Sequence, residues 1–473
     1  MARIAFIQEI WHEYIGTMSI AAYLKAKGHE SDVFIPGGEK DLIASLRMFA
    51  PDILAFSCLT GGHRWALEKA GWLKNELKKS TIFGGIHPTL FPQIIDYPQA
   101  DMVCIGEGEE TLAEIADNIH DTDGLGSVRG IWFKEGGLVK KNPPRPLLAS
   151  LSAVPSPDRS IYLKYPVIEK NPSKHFMAGR GCPYNCTFCY NDSLKKLYKG
   201  SRFLRLREYG HLLEEILYAK KHSRLETVVF DDDTFTADSL WLKGFLEIYK
   251  KEIGLPYVCN VRVEHVDEEL ARILAETGCF RVCMGIECGS ESIRRNVLKK
   301  NFTNDEVITA AGIIKQYGIR ILTNNMMGIP DETMDDVIET IKINARIKTD
   351  YPWCSIFQPY PGTPLSDYAI KKGYIPSLDV DSFDPTFFEG SMLKMKDIDA
   401  IVNLQKFFYV AVRFPWTIPI IKRVVYWPFK RVYHFIFLIF FAYRYAKSNR
   451  LGVMDIFRFG LQSIGLYLKK EIV

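Results

Sequence analysis

The chain has 473 residues, of which 47% are hydrophobic and 25% are charged. At roughly 100–200 residues per domain it can form two to four domains, and its ordinary composition excludes a disordered or collagen-like chain. The net charge is only +4, but residues 401–473 carry a net charge of +10 and the first 400 residues carry −6. This asymmetry predicts a membrane surface or an acidic partner for the C-terminal region.

The beginning of the chain lacks the basic region and long apolar run of a secretory signal, which predicts a cytoplasmic protein. The strongest apolar run, Phe435–Tyr443, is too short to span a bilayer. We therefore expect the ten cysteines to be thiols or metal ligands rather than disulfides.

Strand-like and helix-like segments alternate over the first 120 residues. This alternation predicts a doubly wound parallel sheet, in which ligands bind at the carboxyl ends of the strands. The predicted strands are Arg3–Ile7, Ser31–Ile35, Ile53–Ser57, Thr81–Phe83 and Met102–Ile105, and the predicted helices are Ser19–Lys27, Lys40–Met48, Trp65–Lys78 and Glu110–Ile119. A small hairpin is expected at Ile131–Phe133 and Gly137–Lys140, before a proline-rich linker.

A second alternating series starts at His175, and its six strand–helix units predict a partial (β/α)6 barrel. Its predicted strands are Phe176–Gly179, Thr227–Phe230, Tyr257–Val263, Arg281–Ile286, Arg320–Met327 and Trp353–Phe357. Asn304 is expected to cap the helix Asn304–Gln316. The predicted domains are residues 1–140, a linker at 141–170, the barrel at 171–375 and a mainly helical, basic and apolar region at 376–473.

Three cysteines follow the first strand of the second series, at Cys182, Cys186 and Cys189. Three thiolates in one loop can converge on one soft metal centre. An iron–sulfur cube normally takes about four cysteines, so three would leave one iron open for a substrate or cofactor. A structural zinc site and coincidental buried thiols are the alternatives, although no fourth Cys or His follows at zinc spacing.

This CxxxCxxC pattern after the first barrel strand resembles that of the radical S-adenosylmethionine (SAM) superfamily. The resemblance implies that Cys182, Cys186 and Cys189 bind a [4Fe–4S] cluster whose open iron chelates the methionine part of SAM. It also implies that Phe188 packs near the adenine. A one-electron reductant of the flavodoxin or ferredoxin type is then an expected partner.

The turns after the later strands fit the same resemblance. Asp232, one of three adjacent acids after the second strand, would lie near the methionine moiety, although three such acids face different ways and not all can bind. Glu287 and Ser290 follow the fourth strand, where the family binds the ribose. Gly328 follows the fifth strand, in a turn that would back the adenine. The occurrence of all these turns in this order indicates the superfamily more specifically than any single turn does.

A second set of candidate binding residues stands at the strand ends of the N-terminal half. They are Ser57, Leu59, Gly84, Gly85, Gly106 and Glu107, and they resemble the cobalamin-binding Rossmann-like domain. In that family the serine lies near the buried nucleotide tail and the glycines leave room for it. The histidine-on form has DxHxxG after the first strand, whereas here the aspartate is missing and His12 stands one residue too far from Gly16. We therefore predict that no histidine binds cobalt. A degenerate domain that binds nothing is the alternative.

The C-terminal region interleaves aromatic and basic residues from Phe414 to Ala446. This pattern is typical of a helix at a membrane interface and would suit an apolar or lipid-linked substrate. A helical cap packed on the barrel is equally compatible with it. No nucleic-acid recognition motif accompanies the charge, so nucleic acid is not an expected partner.

Together the resemblances imply an α/β B12-dependent radical SAM enzyme with three cofactors: a [4Fe–4S] cluster, SAM and cobalamin. Its expected reaction is SAM cleavage to a 5′-deoxyadenosyl radical, hydrogen abstraction from an unactivated carbon and cobalamin-mediated C-methylation. Cyclisation or oxidation without methyl transfer is one alternative. A non-catalytic, cobalamin-responsive interaction protein is the alternative from another class. The sequence identifies neither a catalytic acid or base nor the substrate.

Overall fold

The computed structural model describes residues 1–119, 122–383 and 386–448. The chain forms two compact units, Met1–Asn260 with Pro359–Pro385, and Val261–Gln358 with Thr386–Val473. Residues 449–473 of the predicted C-terminal region lie outside the described residues.

The first unit begins with a seven-stranded sheet in the order β2-β1-β3-β4-β5-β6-β7. Its strands are β1 (Arg3–Ile7), β2 (Glu30–Phe34), β3 (Ile53–Ser57), β4 (Ser80–Gly84), β5 (Met102–Cys104), β6 (Ile131–Glu135) and β7 (Leu138–Lys141). The first five strands are parallel, as predicted. The predicted hairpin β6–β7 extends this sheet, because β6 pairs antiparallel with β5.

Helices cover both faces of this sheet, since successive strand residues point to opposite sides. Ile4 and Phe6 pack on the face covered by α1 and α5, whereas Ala5 and Ile7 pack on the face covered by α2 and α3. The helices are α1 (Ile15–Ala26), α2 (Leu42–Phe49), α3 (His63–Leu77), α4 (Ile86–Leu90), α5 (Glu109–Asp117) and α6 (Thr122–Leu125). The doubly wound arrangement predicted from the alternation is therefore present.

The second series of elements begins in the same unit. Its elements are α7 (Pro166–Glu169), β8 (Ser173–Phe176), β9 (Gly179–Arg180), α8 (Tyr190–Leu197), β10 (Arg205–Leu206), α9 (Tyr209–His222), β11 (Thr227–Phe230), α10 (Ser239–Glu252) and β12 (Tyr257–Val261). β11 pairs in parallel with both β8 and β12. The strand predicted at Phe176–Gly179 is displaced: β8 ends at Phe176, because the Asp232 carboxylate accepts the N–H groups of Ala178 and Gly179.

The second unit holds three further parallel strands in the order β13-β14-β15. Its elements up to residue 356 are α11 (Glu268–Glu276), β13 (Cys279–Glu287), α12 (Glu291–Asn296), α13 (Asn304–Gln316), β14 (Arg320–Met327), α14 (Met334–Arg346) and β15 (Tyr351–Ile356). The cap predicted at Asn304 is wrong. Thr303 is the N-cap, and its hydroxyl and Glu306 form a capping box. The Asn304 amide instead donates to the Gly289 carbonyl at 3.0 Å.

After residue 358 the chain first returns to the first unit, with α15 (Pro364–Lys371). The described remainder of the second unit is helical, as predicted, with α16 (Ile398–Lys406), α17 (Phe408–Arg413), α18 (Ile418–Val424) and α19 (Lys430–Ser448). Apolar residues of these helices pack on α14 and β15 and complete the core of the second unit. Short 3-10 helices lie at Pro92–Asp96, Leu151–Ala153, Arg159–Tyr162, Val263–His265, Val380–Ser382 and Pro415–Thr417.

Candidate cofactor site

The cysteine loop connects β9 to α8 in the first unit. Its first residue, Gly181, has φ of +90°, and a Cβ there would lie 2.4 Å from the Phe203 carbonyl oxygen, so only glycine fits. Cys182 and Cys186 are buried, and Cys189 is half-buried at the N-cap of α8. Burial raises the pKa of Cys189 to about 12, and the Asp233 carboxylate and the other two thiols add to this effect. The three thiols are therefore electrostatic neighbours.

Their chemistry fits an iron–sulfur cluster, because three soft sulfur donors lie in one loop with other polar groups beside them. The Thr234 hydroxyl lies 3.5 Å from the Cys182 sulfur, and the Asn191 amide lies 3.6 Å from the Cys189 sulfur. Within residues 1–119, 122–383 and 386–448, no three His, Cys, Asp or Glu side chains are gathered as a metal site. Phe188 is half-buried in the same loop.

The three acids after β11 point in different directions, as the sequence predicts. Asp232 is buried, and its carboxylate accepts backbone N–H groups from Ala178 at 2.9 Å and Gly179 at 2.7 Å. Burial raises its pKa to about 7. Asp231 and Asp233 line a cavity of the first unit, and Asp232 does not. The geometry thus favours Asp231 and Asp233 over Asp232 as the acids that can face a ligand there.

That cavity has a volume of about 400 Å³, which is within the range of small-molecule sites. One part of its wall comes from the strand ends of the N-terminal sheet, at Ser57, Gly84, Gly85, Gly106 and Glu107. Another part comes from both flanks of the cysteine loop, including Gly181, Tyr190, Asn191 and Arg205. Five of the six residues predicted for the N-terminal half therefore share one cavity. Leu59 is not in its wall and is 62% exposed.

Gly85 forms a cradle in this wall that a side chain would fill. Its φ is +97°, and a Cβ would lie 3.1 Å from the Cys58 carbonyl oxygen and the Ser57 hydroxyl. Because non-glycine residues rarely adopt such a backbone, the position is closed to larger residues. Because Gly85 lines the cavity without a side chain, a ligand tail can approach the backbone at the ends of β3 and β4.

His12 and His63 lie outside this cavity wall. The His12 ring contacts His175 edge-to-face at 4.6 Å, and burial together with the His175 charge lowers its pKa to about 4. His63 is fully buried, stacks on His87 at 4.2 Å and lies 3.3 Å from the Asp381 carboxylate. Both histidines thus make the contacts of side chains packed inside the protein.

In the second unit, Glu287 ends β13 with φ of +67°, where the strand register shifts. Its carboxylate lies 3.0 Å from the Lys300 ammonium, which also donates to the Gly285 carbonyl at 2.6 Å. Ser290 is the N-cap of α12. Gly328 has φ of +76°, and its N–H donates to the Glu332 carboxylate at 2.7 Å. Burial raises the pKa of Glu332 to about 8.

Sequence reasoning missed several polar residues around the first-unit cavity. Asp231 bonds His175 at 2.8 Å, and Arg180 and Arg205 both bond Glu107. Arg180 could have been found, because it directly precedes Gly181 and Cys182 while two acids stand in the 106–109 turn. No sequence signal identifies His175.

Comparison with known proteins agrees with this arrangement. A model of the B12 binding domain matches residues 4–116, and a model of the radical SAM superfamily matches residues 177–343. An uncharacterized methyltransferase of Pyrococcus horikoshii is 31% identical over 341 residues, which are 71% of this chain and 73% of the relative. This chain belongs to the B12-binding radical SAM family. The expected enzyme class and the expected set of cobalamin, SAM and [4Fe–4S] cofactors are confirmed at the level of this family.

More distant relatives have names that indicate other reactions. An anaerobic magnesium-protoporphyrin IX monomethyl ester cyclase of Rubrivivax gelatinosus is 24% identical over 367 residues. The match covers 73% of this chain and 64% of the cyclase, less than two thirds of its length. Among solved structures, the cobalamin-dependent SAM radical enzyme OxsB has a TM-score of 0.70 at 18% identity, with 99% of this chain and 75% of OxsB covered. This likeness confirms the α/β fold class with its partial barrel.

Proposed function

We propose that this family member is a cobalamin-dependent radical SAM enzyme that methylates carbon. One observation carries the proposal: the 400 Å³ cavity takes its wall both from the strand ends of the B12-binding domain and from the flanks of the cysteine loop. Groups held on two sides of one cavity can act on one substrate without diffusing apart. The Pyrococcus relative, described as a methyltransferase, supports methyl transfer over the other outcomes.

We assign the cofactors to residues as follows. The cluster is held by Cys182, Cys186 and Cys189, and Phe188 of the same loop contacts SAM. In the second unit, Glu287, Ser290 and Gly328 are the proposed SAM-binding residues. Asp232 is not assigned, because its carboxylate is bonded to the Ala178 and Gly179 N–H groups and does not line the cavity. Cobalamin is bound at the cavity wall by Ser57, Gly84, Gly85 and Gly106. Leu59 lies outside this wall, and Glu107 borders it but is held by Arg180 and Arg205. In this proposal residues 1–140 form the cobalamin-binding domain, residues 171–375 the radical SAM barrel and residues 376–473 the helical C-terminal region, with a linker at 141–170. The geometry adds Asp231 and Asp233 as polar residues of the same cavity.

The bound cofactors would supply hydrogen abstraction and methyl delivery, and the protein would orient them and exclude water. Phe6, Ile20 and Leu194 give the cavity an apolar lining. Asn191 holds the Asp233 carboxylate at 2.9 Å and keeps this charge beside the cysteine loop. The His175 ring holds Asp231 at 2.8 Å, so both cavity-facing acids have fixed partners.

The second candidate is cyclisation or oxidation without methyl transfer, which the Rubrivivax cyclase favours. Incubation of the reconstituted holoenzyme with a candidate substrate and methyl-labelled SAM distinguishes methyl transfer from cyclisation or oxidation. Methyl transfer predicts S-adenosylhomocysteine together with 5′-deoxyadenosine and a product heavier by one labelled methylene unit. Deoxyadenosine with a product that has lost hydrogen and carries no label would contradict methylation.

We also propose that the C-terminal helices contact an anionic membrane surface. Large apolar side chains are exposed along residues 414–445, among them Trp416 at 71% and Phe435 at 64%. Lys422, Arg423 and Arg431 are exposed in the same stretch, and the sequence has no Asp or Glu between Asp399 and Asp455. Basic residues near such a surface contribute about 1 kcal/mol each. No helix among the described residues is long and apolar enough to cross a bilayer.

Some apolar residues of helix α19 pack inside the protein, as in a helical cap, and others are exposed, as in a helix at a membrane interface. Phe437 packs on Phe388 at 5.0 Å, Phe440 on Tyr409 at 5.5 Å and Phe441 on Trp353 at 5.5 Å, as in a helical cap. Phe435, Leu438 and Ile439 are exposed and remain available to lipid. A substrate that is apolar or lipid-linked would be accessible at such a surface.

Vesicle co-sedimentation of the full chain tests this contact. The wild type should sediment with phosphatidylserine-containing vesicles and less with neutral ones, and salt should weaken the binding without abolishing it. The double variant Trp416→Ser/Trp427→Ser should bind several-fold more weakly. Trp72→Ser is the matched control, because Trp72 is an exposed tryptophan on α3. Wild-type protein that stays in the supernatant with both vesicle types would refute the contact.

A further inference from the structure

The turn at residues 106–109 of the B12-binding domain has an unusually complete set of partners. The Glu107 carboxylate receives Arg205 through both of its oxygens at 2.9 Å, Arg180 at 2.9 Å and the Leu148 N–H at 2.9 Å. Arg180 also pairs with Glu109 in the same turn. These are charge-assisted hydrogen bonds between largely buried groups. Glu107 is therefore committed to protein partners although it borders the cavity.

Both flanks of the cysteine loop attach to this turn. Arg180 lies two residues before Cys182, and its guanidinium bridges Glu107 and Glu109. On the other flank, α8 begins directly after Cys189 and is followed by Tyr198. The Tyr198 hydroxyl occupies the space beside Gly106, where a Cβ would lie 1.7 Å from it. A displacement of the turn is therefore transmitted to the loop from two sides.

We propose that the 106–109 turn couples cobalamin binding to the cysteine loop, with Glu107 and Arg180 as positioning residues. All four residues of the turn border the cavity assigned to cobalamin, so a ligand there contacts the element that holds both flanks of the loop. This inference rests on the proposed function, because it takes the cofactor assignments from it. It also gives Glu107 a role distinct from direct contact with cobalamin.

Such coupling is reciprocal: if cobalamin favours the ordered loop, the cluster must tighten cobalamin by the same factor. The measurement is the Kd of hydroxocobalamin for the cluster-free and the cluster-loaded protein. We expect a ratio of at least about fivefold in the wild type, the lower end of typical coupling between sites. In Glu107→Gln the ratio should fall close to one, because the neutral amide no longer holds Arg180 and Arg205 through charge-assisted hydrogen bonds.

Two further variants make this result specific. Arg180→Lys keeps the charge but cannot span Glu107 and Glu109, and it should reduce the ratio to an intermediate value. Glu247→Gln is the matched control, because Glu247 forms an exposed pair with Lys251 at 3.0 Å in the same unit. It should leave the ratio at the wild-type value. Because each ratio compares one variant with itself, a uniform loss of stability does not change it.

The outcomes separate the coupling from the proposed function. Equal ratios in the wild type and in both turn variants would overturn the coupling, as would a wild-type ratio of one with normal cobalamin binding. Either result would leave the cofactor assignments intact. If hydroxocobalamin does not bind the wild type at all, the proposed function fails, and the coupling fails with it.

Discussion

The two units of the chain use the ends of their parallel strands differently. In the first unit, residues from distant strand ends line one cavity, and Gly85 leaves part of its wall without a side chain. In the second unit, the comparable turns are filled by their own side chains. Glu332 accepts the N–H groups of Gly328 and Ile329, and Lys300 holds Glu287.

An acid that follows a strand end and a glycine therefore serves two purposes. Glu107 follows Gly106 and joins distant segments around the cavity, whereas Glu332 closes a single turn. Substitutions in the first unit should therefore remove a cofactor from a folded protein. Substitutions at supporting residues of the second unit, such as Glu332, should lower stability with little effect on the content of cluster and cobalamin.

The largest effect is expected at the cysteine loop. Cys186→Ala should abolish the iron–sulfur absorption and reduce bound iron to background, because the two remaining thiolates cannot hold the cluster without the third. Cys279→Ala is the control, since Cys279 is a buried thiol at the start of β13. It should retain the full iron content. Equal iron content in both variants would contradict the assignment.

The next effect concerns the cradle at Gly85. Gly85→Val should weaken cobalamin binding about tenfold to a hundredfold, because the side chain fills the space beside Cys58 and strains the backbone. Gly28→Val is the matched control, since Gly28 has φ of +83° and open space around it. Its strain should lower stability without changing the Kd of cobalamin.

The histidine prediction is tested with the same assay. His12→Ala should bind cobalamin nearly as well as the wild type, because His12 packs against His175 outside the cavity wall. Nitrogen superhyperfine coupling in the electron paramagnetic resonance spectrum of the reduced cobalt, lost in His12→Ala, would show that a histidine does bind the metal.

Local periodicity was sufficient to predict most strands. Four strands have the predicted bounds: Arg3–Ile7, Ile53–Ser57, Thr227–Phe230 and Arg320–Met327. The first three are mainly apolar runs, and the fourth ends directly before Gly328. The strand predicted at Phe176–Gly179 is displaced because Asp232, more than fifty residues away in sequence, takes the backbone donors of Ala178 and Gly179. No local pattern contains that information.

The same limit applies to the site. Motif spacing placed Ser57, Gly84, Gly85, Gly106 and Glu107 at strand ends, and parallel strand ends meet at one edge of a sheet. The orientation of each side chain depends on contacts from elsewhere, such as those that turn Asp232 away from the cavity and Asp231 toward it. The pairing of Glu107 with Arg180 and Arg205 is also non-local.

The supporting role of Glu332 in the second unit predicts that the stability of the protein depends on pH. Burial raises the pKa of Glu332 from 4.5 to about 8, so the folded state keeps a proton that the unfolded state loses. The free energy of unfolding should therefore fall as the pH rises between these values, by at most about 1.4 kcal/mol per pH unit, and level off above about pH 8. Urea denaturation across this range measures it.

Two variants identify the source of that dependence. Glu332→Gln should flatten the profile, because its amide oxygen can still accept the N–H groups of Gly328 and Ile329. Glu339→Gln is the control, since Glu339 lies on the following helix α14 and forms an exposed pair with Lys342. It should retain the wild-type slope. A wild-type slope that survives Glu332→Gln would assign the dependence to another group.

The smallest expected effect is at the capping box of α13. The Thr303 hydroxyl accepts the Glu306 N–H at 3.2 Å, and Glu306 accepts the Thr303 N–H at 2.6 Å. Thr303→Ala removes the hydroxyl and should lower the free energy of unfolding by about 1 kcal/mol, whereas Thr303→Ser keeps the acceptor and should be nearly neutral. Cofactor content should not change in either variant. Loss of the cluster or of cobalamin from folded Thr303→Ala protein would contradict the division of roles between the two units.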